Sequence, residues 1–473
     1  MEKRDRCRCG WYLRREKKYA MGNVPFETYS TKIYAQWQQA RDEGRDVAGL
    51  EAACRAVQTM AENSPEDARR LQSTAFSLYD TMQAIPPSPK QAEEEPSDYS
   101  GILAQCTKNH FHGVLPEKSL VHERVLGGWA GRVAGCLLGK PLEFWALEPL
   151  RDMLREIENS PISRYIAAAD FSRQMQEKYD IIVGSPLNKQ PWIDEISDNA
   201  PIDDDTNYTV LNLRLLETFG RKFTPEDVLF TWTNWLPGAV CCTAERIAYL
   251  NALQGKHPPE TAVLHNPYRE WVGAQIRAEI FGWVNPGNPQ AAAEMAFRDA
   301  CVSHVRNGIY GEMFIAAVIA AAMVCNDISR LISAGLSEIP EHSRLAKAIK
   351  DAINDYHAGM SYDEAVDKLH RRYHEDDMFD WCHTIPNAVI VVLSLLYSEG
   401  RFDKALDRCM RAGMDTDSNG AVVGAIMGTV LGFSGIPAYW TDCFHHKLAS
   451  SVDGNHLLTL DELAQRTCAL IQP

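Results

Sequence analysis

Two acidic runs carry the residue types best suited to hold a cation or move a proton. The first is Asp203-Asp204-Asp205, followed by Thr206. Leu211, Leu213, Leu215, Leu216 and Phe219 give the next stretch an apolar face. The aspartates therefore stand at or just before a helix N-terminus, where the dipole favours anions. Three adjacent carboxylates repel one another unless water or a cation compensates them; taken alone, they also fit a solvated acidic turn with one capping aspartate. The second run is Asp415-Thr416-Asp417-Ser418. Its D-x-D spacing lets two carboxylates on a tight turn converge on one ion, with the Ser418 hydroxyl beside them. Helix capping by Asp417 or Ser418 is the alternative. A ligand set made only of oxygen suits magnesium, calcium or manganese rather than zinc.

These runs need elements to hold them. Gly420, Gly424, Gly428 and Gly432 recur every four residues, which leaves one helix face nearly bare and open to close backbone approach. Gly131, Gly135 and Gly139 repeat the pattern upstream, Pro141 ends that helix, and Glu143 follows at its C-terminal end. Apolar spacing predicts helices over 125–139, 207–219, 313–323, 388–397 and 420–431, with few alternating runs. Residues 179–183 are a short, isolated piece with strand character. The fold class is all-α. Residues 1–24 read as a basic arm and 25–84 as an N-terminal helical extension. In the latter, Val47, Leu50, Cys54 and Val57 share a face, and Ser64-Pro65 opens a further helix. Prolines and charges over 85–117 predict an exposed, mobile linker. Residues 118–473 form the main domain, with 144–199 as an insertion that could serve as a lid or substrate wall.

The order of these motifs is more specific than any one of them. A GxxxGxxxGxPxE helix, then DDT, then DTDSxGxxxGxxxG resembles the ADP-ribosylglycohydrolase family, which includes the dinitrogenase-reductase-activating glycohydrolases and J-type crystallins. The resemblance covers about residues 120–439. It implies a compact, orthogonal multi-helix domain with two magnesium ions in a cleft, manganese being a possible substitute. It implies that Asp203, Asp204, Asp205, Asp415, Asp417 and Ser418 are the metal ligands. Glu143 matches a mobile glutamate near the metals, and it shares the candidate catalytic role with Asp204 and Asp205. Gly273-Ala-Gln-Ile-Arg277 falls where the family has a polar loop. The segment around His304, Gly308, Tyr310 and Gly311 resembles a helix that carries a histidine. Gly273, Arg277, His304, Gly308, Tyr310 and Gly311 are thus candidate substrate-binding residues, and His383 to Asn387 matches a polar turn before a helix. This chain departs from the family at three positions: Asp203 stands where many members have threonine, Ser418 where many have threonine, and Cys136 where aspartate is common.

The reaction the resemblance implies is hydrolysis at C1 of a ribose. Ions would orient the ribose hydroxyls and acidify the attacking water, and Asp204, Asp205 or Glu143 would act as base through an oxocarbenium-like transition state. An ADP-ribosylated protein or a small riboside would be the substrate. Small N-riboside hydrolysis, two-metal phosphoester hydrolysis and a non-catalytic crystallin-like role are the competing possibilities. Trp192, Trp232, Trp235, Tyr310, Trp381 and Tyr439 are candidates for stacking on a base, or are core.

Bulk properties narrow the partners. A formal charge of −15 over 473 residues argues against a nucleic-acid binder. Apolar runs are too short for a membrane span, and the basic N-terminus lacks the apolar core of a secretory signal. Thirteen cysteines, an odd number, sit largely in apolar segments, with Cys136, Cys301, Cys325 and Cys409 at helix-core positions. That pattern predicts reduced thiols and a cytoplasmic protein. Cys7 and Cys9 lack a second ligand pair at zinc spacing. Oligomeric state is left open.

Overall fold

The computed structural model describes residues 29–107, 111, 113–184 and 191–472. The basic arm and the Cys7/Cys9 pair lie outside the described residues. Helices dominate, and the only strands among the described residues are Lys447–Ala449 and Leu457–Thr459, an antiparallel pair with Leu448 opposite Leu458. Seven helices matter for the site: α1 (Ile33–Asp42), α2 (Glu51–Ala61), α3 (Lys118–Gly139), α4 (Asp204–Phe219), α5 (Asn307–Ala322), α6 (Thr384–Leu396) and α7 (Thr416–Leu431).

The centre of the molecule is the antiparallel pair α3–α7, and glycine makes it possible. A Cβ added at Gly131 would lie 2.0 Å from the Gly424 carbonyl oxygen, and one at Gly135 would lie 1.9 Å from that of Gly420. Reciprocally, a Cβ at Gly428 would meet the Gly127 carbonyl oxygen at 2.0 Å. Backbone touches backbone along three helical turns, so no side chain fits between. The pairing sets the C-terminal end of α3 beside the N-terminal end of α7, where Thr416 Oγ1 donates to the Gly139 carbonyl at 2.9 Å. The apolar flanks of α5 and α6 pack around this pair and are buried along their length.

Helix ends run further than hydrophobic spacing alone predicts. Helices α3 to α7 begin three to seven residues ahead of the predicted starts, because capping and first-turn polar residues belong to them. Residues 179–183 form no strand; Tyr179 ends a helix and coil follows. The linker expectation is also corrected. Within 85–117, Pro89–Glu94 and Tyr99–Gln105 are helical, Ile102 is fully buried, and buried Glu95 pairs with Arg306 and Arg344 at 3.1 Å. Proline here caps rather than breaks: Ser88 and Asp98 accept from the backbone of the first turns, and Pro89 starts its helix. Among the described residues no helix is long and apolar enough to cross a membrane, and the described cysteines are free thiols.

Candidate active site

Three chain segments converge. Asp203 is the N-cap of α4, where its carboxylate accepts from the Asp205 N–H at 3.0 Å, and Asp204 and Asp205 form the first turn. Asp415 precedes α7, and Asp417 and Ser418 lie in its first turn. Gly413 and Met414 both have φ near +60° to +70°, a left-handed turn that swings Asp415 towards the cleft; buried Met414 adopts it without glycine's freedom. Glu143 follows a short 3-10 turn after α3, and Phe144 is also left-handed at φ 67°. The Phe144 ring lies nearly parallel to Trp381 at 4.8 Å, which anchors the turn next to Glu143. Buried Arg132 of α3 hydrogen-bonds the Asp205 carbonyl and pairs with Glu279, locking the first turn of α4 to the central pair.

Lys140 joins the two runs. Its ammonium is 2.7 Å from Asp203, 2.9 Å from Asp417 and 3.7 Å from Glu143. Burial would lower its pKa, but Asp203 and Asp417 more than reverse that and hold it protonated. Lys140 in turn keeps Asp203 ionised against burial. One ammonium does not balance the rest. Burial, followed by repulsion from neighbouring carboxylates, pushes Glu143, Asp205 and Asp415 well above the carboxylate range, and Asp204 to about 6.

The donor chemistry fits a hard cation. Oxygens of Glu143, Asp415 and Asp417 lie within 4.8 Å of one another. Asp205 Oδ1 is buried without a hydrogen-bond partner. Cys136 groups with Asp203 and Asp205 in the same manner, and burial and those two aspartates raise its thiol well above the usual range; the other donors are all carboxylate oxygens.

A cavity of about 720 Å³ opens above this cluster. Glu143, Asp204, Asp205, Asp415, Asp417 and Ser418 reach it, and so does Gly273. The other candidate substrate-binding residues do not line it. Arg277 is fully buried, paired with Glu245 and Asp299 at 2.5 Å and with Glu312 at 3.5 Å. His304 lies buried in the turn after helix Pro289–Ala300, 2.7 Å from Ser303, and burial followed by Arg277 keeps it neutral. Gly308 and Gly311 are packing glycines: a Cβ would lie 2.7 Å from the Arg269 carbonyl oxygen and 2.4 Å from Thr384 Oγ1, respectively. Tyr310 donates to the Pro96 carbonyl. These groups support the cleft from behind. Gly273 shows how: a Cβ there would meet Glu245, the Arg277 partner, at 2.3 Å. Of the stacking candidates, only Trp381 lines the cavity; Trp192 and Trp232 are core, and Tyr439 is exposed.

Several cavity residues escaped the sequence reading. Lys140, Glu245, Tyr208 and Trp271 belong to it, and so do Tyr34 and Gln38 of α1. Lys140 had a signal, since a lysine inside a glycine-proline turn beside Glu143 is placed to meet acids. The α1 residues had none. Among the described residues of the 144–199 segment, expected to wall the cleft, only Phe144 lines the cavity. The segment's apolar side chains Leu150, Met153, Leu154 and Ile166 are buried in the core instead.

The sequence profile of the ADP-ribosylglycohydrolase family matches residues 117–472. A solved structure described as an ADP-ribosylglycohydrolase-related protein complex is similar over 74% of this chain and 98% of its own, at 17% identity and a TM-score of 0.45. No curated protein matched. The match spans most of the chain, from the start of α3 to the C-terminal helix, and the chain belongs to the ADP-ribosylglycohydrolase family.

Proposed function

We propose that this glycohydrolase is magnesium-dependent and cleaves the bond at C1 of a ribose in an ADP-ribosyl linkage. The observation that carries the proposal is the convergence of Glu143, Asp415 and Asp417 beside Asp205, whose buried Oδ1 lacks a partner. Asp203, Asp204, Asp205, Asp415, Asp417 and Ser418 would hold two magnesium ions, and manganese would substitute. When bound, the ions would offset the carboxylate charge, orient the ribose hydroxyls and make the attacking water more acidic.

The residues have separable roles. Asp204 faces the cavity from the first turn of α4 and would act as the base. It accepts a proton as water adds to C1 and the bond to the leaving nitrogen or oxygen breaks; the departing group takes up a proton. Glu143, which lines the same cavity, would donate it. Negative charge around C1 stabilises the oxocarbenium-like transition state. Lys140 bridges Asp203 and Asp417. A crystallin-like, non-catalytic role predicts a broken acidic set, whereas here the set is complete.

The test is a panel of ADP-ribosyl-arginine, ADP-ribosyl-serine and simple ribosides with magnesium, with products identified by mass. Free ADP-ribose or ribose is expected. Asp417→Ala should lose on the order of 10²–10⁴-fold in rate. Released phosphate would point to phosphoester hydrolysis instead. If wild type and Asp417→Ala were equally inert on every compound, the proposal would fail.

A further inference from the structure

The N-terminal extension lies outside the family match, yet it lines the same cavity as the acidic cluster. Thr31, Tyr34, Ala35 and Gln38 recur at three- and four-residue spacing, so they form one stripe along α1 and its entry turn, and all four face the cavity. Gln58 of α2 reaches it too and accepts from the Tyr34 N–H at 3.0 Å.

The stripe is fixed rather than hinged. On the other side of α1, Ile33, Trp37 and Ala40 are buried. Gln39 donates to Glu270 at 2.7 Å, Gln38 donates to Asp377 at 2.6 Å, and Glu43, one residue past the helix, pairs with buried Arg269 at 2.6 Å. Glu270 is further held by Arg344 at 2.6 Å and by Asn307 at 2.8 Å. Tyr34 stacks nearly parallel on Trp37 at 5.2 Å, and the Arg55 guanidinium lies 3.9 Å over its ring. A helix docked through buried charge pairs does not swing aside for each substrate.

From this we infer that the extension is a permanent wall of the active site and that it selects small, free ADP-ribosyl conjugates over ADP-ribose attached to a folded protein. The inference rests on the proposed glycohydrolase activity. The cavity, about 720 Å³, falls in the roughly 300–1,000 Å³ range of small-molecule sites. The wall and the acidic floor line the same cavity, so the extension stands beside whatever binds on the acids. Tyr34 and Ala35 are then specificity residues that touch the substrate beyond the scissile ribose.

The experiment compares free ADP-ribosyl-arginine and ADP-ribosyl-serine with the same linkages on a folded carrier protein, all with magnesium. Wild type should show kcat/KM at least tenfold higher on the free conjugates. Tyr34→Ala should raise KM for them fivefold or more with kcat within twofold, since it removes wall and leaves the acids alone. Ala35→Trp, which fills the cavity from the same stripe, should abolish saturation. Melting temperatures certify that both variants are folded. Equal kcat/KM on free and protein-bound linkages would overturn the inference while sparing the glycohydrolase reading, as would KM values within twofold of wild type in both folded variants. Wild type inert on every conjugate would overturn both.

Discussion

Two clusters of carboxylates flank α1, one where it docks and one lining the cavity it faces, and they are built on opposite principles. Where the extension docks, each acid meets guanidinium: Glu43 with Arg269, Glu95 with Arg306 and Arg344, Glu270 with Arg344. Burial would raise the pKa of Glu43 and Glu270, yet Arg269 and Arg344 respectively drive them below the usual range. At the cleft floor, six carboxylates share one ammonium, and burial with mutual repulsion drives four of them up. The first arrangement spends its charge on holding structure. The second is left short of positive charge, a shortage that a divalent cation would relieve. The same residue type serves as glue in one place and is left under-compensated in the other, and the difference lies in the count of partners.

The comparison breaks most visibly through Glu270→Ala. Arg344 and the amides of Gln39 and Asn307 would lose their shared acceptor inside the protein. Removing one partner of a buried pair costs about 3–5 kcal/mol, so a lower midpoint in denaturant is expected. Unchanged stability would mean that the dock is incidental.

A smaller effect, of opposite sign, sharpens the comparison. In EDTA, Asp204 carries a folded-state pKa of about 6 against an ordinary 3.8. The folded state prefers the proton, so stability falls as pH rises from about 4 through 6. Glu43 and Glu270 are depressed, so their contribution is present above their ordinary pKa near 4.5 and fades below it. Wild type in EDTA should therefore be most stable near pH 5. Asp204→Asn should melt a degree or two higher than wild type at pH 7, of the order expected for about 1 kcal/mol in a chain this long, with a shallower decline towards neutral pH. A lower melting temperature for Asp204→Asn would show that the carboxylate is compensated after all.

Much of this was legible in the sequence. Glycine at four-residue spacing foretold close backbone approach on each of the two helices, because only a missing Cβ allows it, but not that they would meet each other. The acidic runs foretold helix N-termini, because capping is local. What escaped depends on distant partners. Arg277 and His304 are candidates in the sequence only through the family resemblance, and the packed structure shows Arg277 saturated by three acids. Lys140 meets Asp417 across most of the domain, and no periodicity reports that. Tyr34 and Gln38 look like ordinary helix-surface residues until α1 docks. The 144–199 segment looked like a wall because of its length, but apolar side chains among its described residues, such as Leu150 and Met153, pack into the core.

The most direct test of the central claim, that the under-compensated cluster is a cation site, is calorimetric titration with magnesium at neutral pH. Wild type should bind, and at 100 times the dissociation constant should gain about 2.7 kcal/mol of stability per site, while Asp205→Asn and Asp417→Asn should gain little or nothing. A wild type that binds no magnesium at millimolar concentration, or variants that bind as well as it does, would contradict the account.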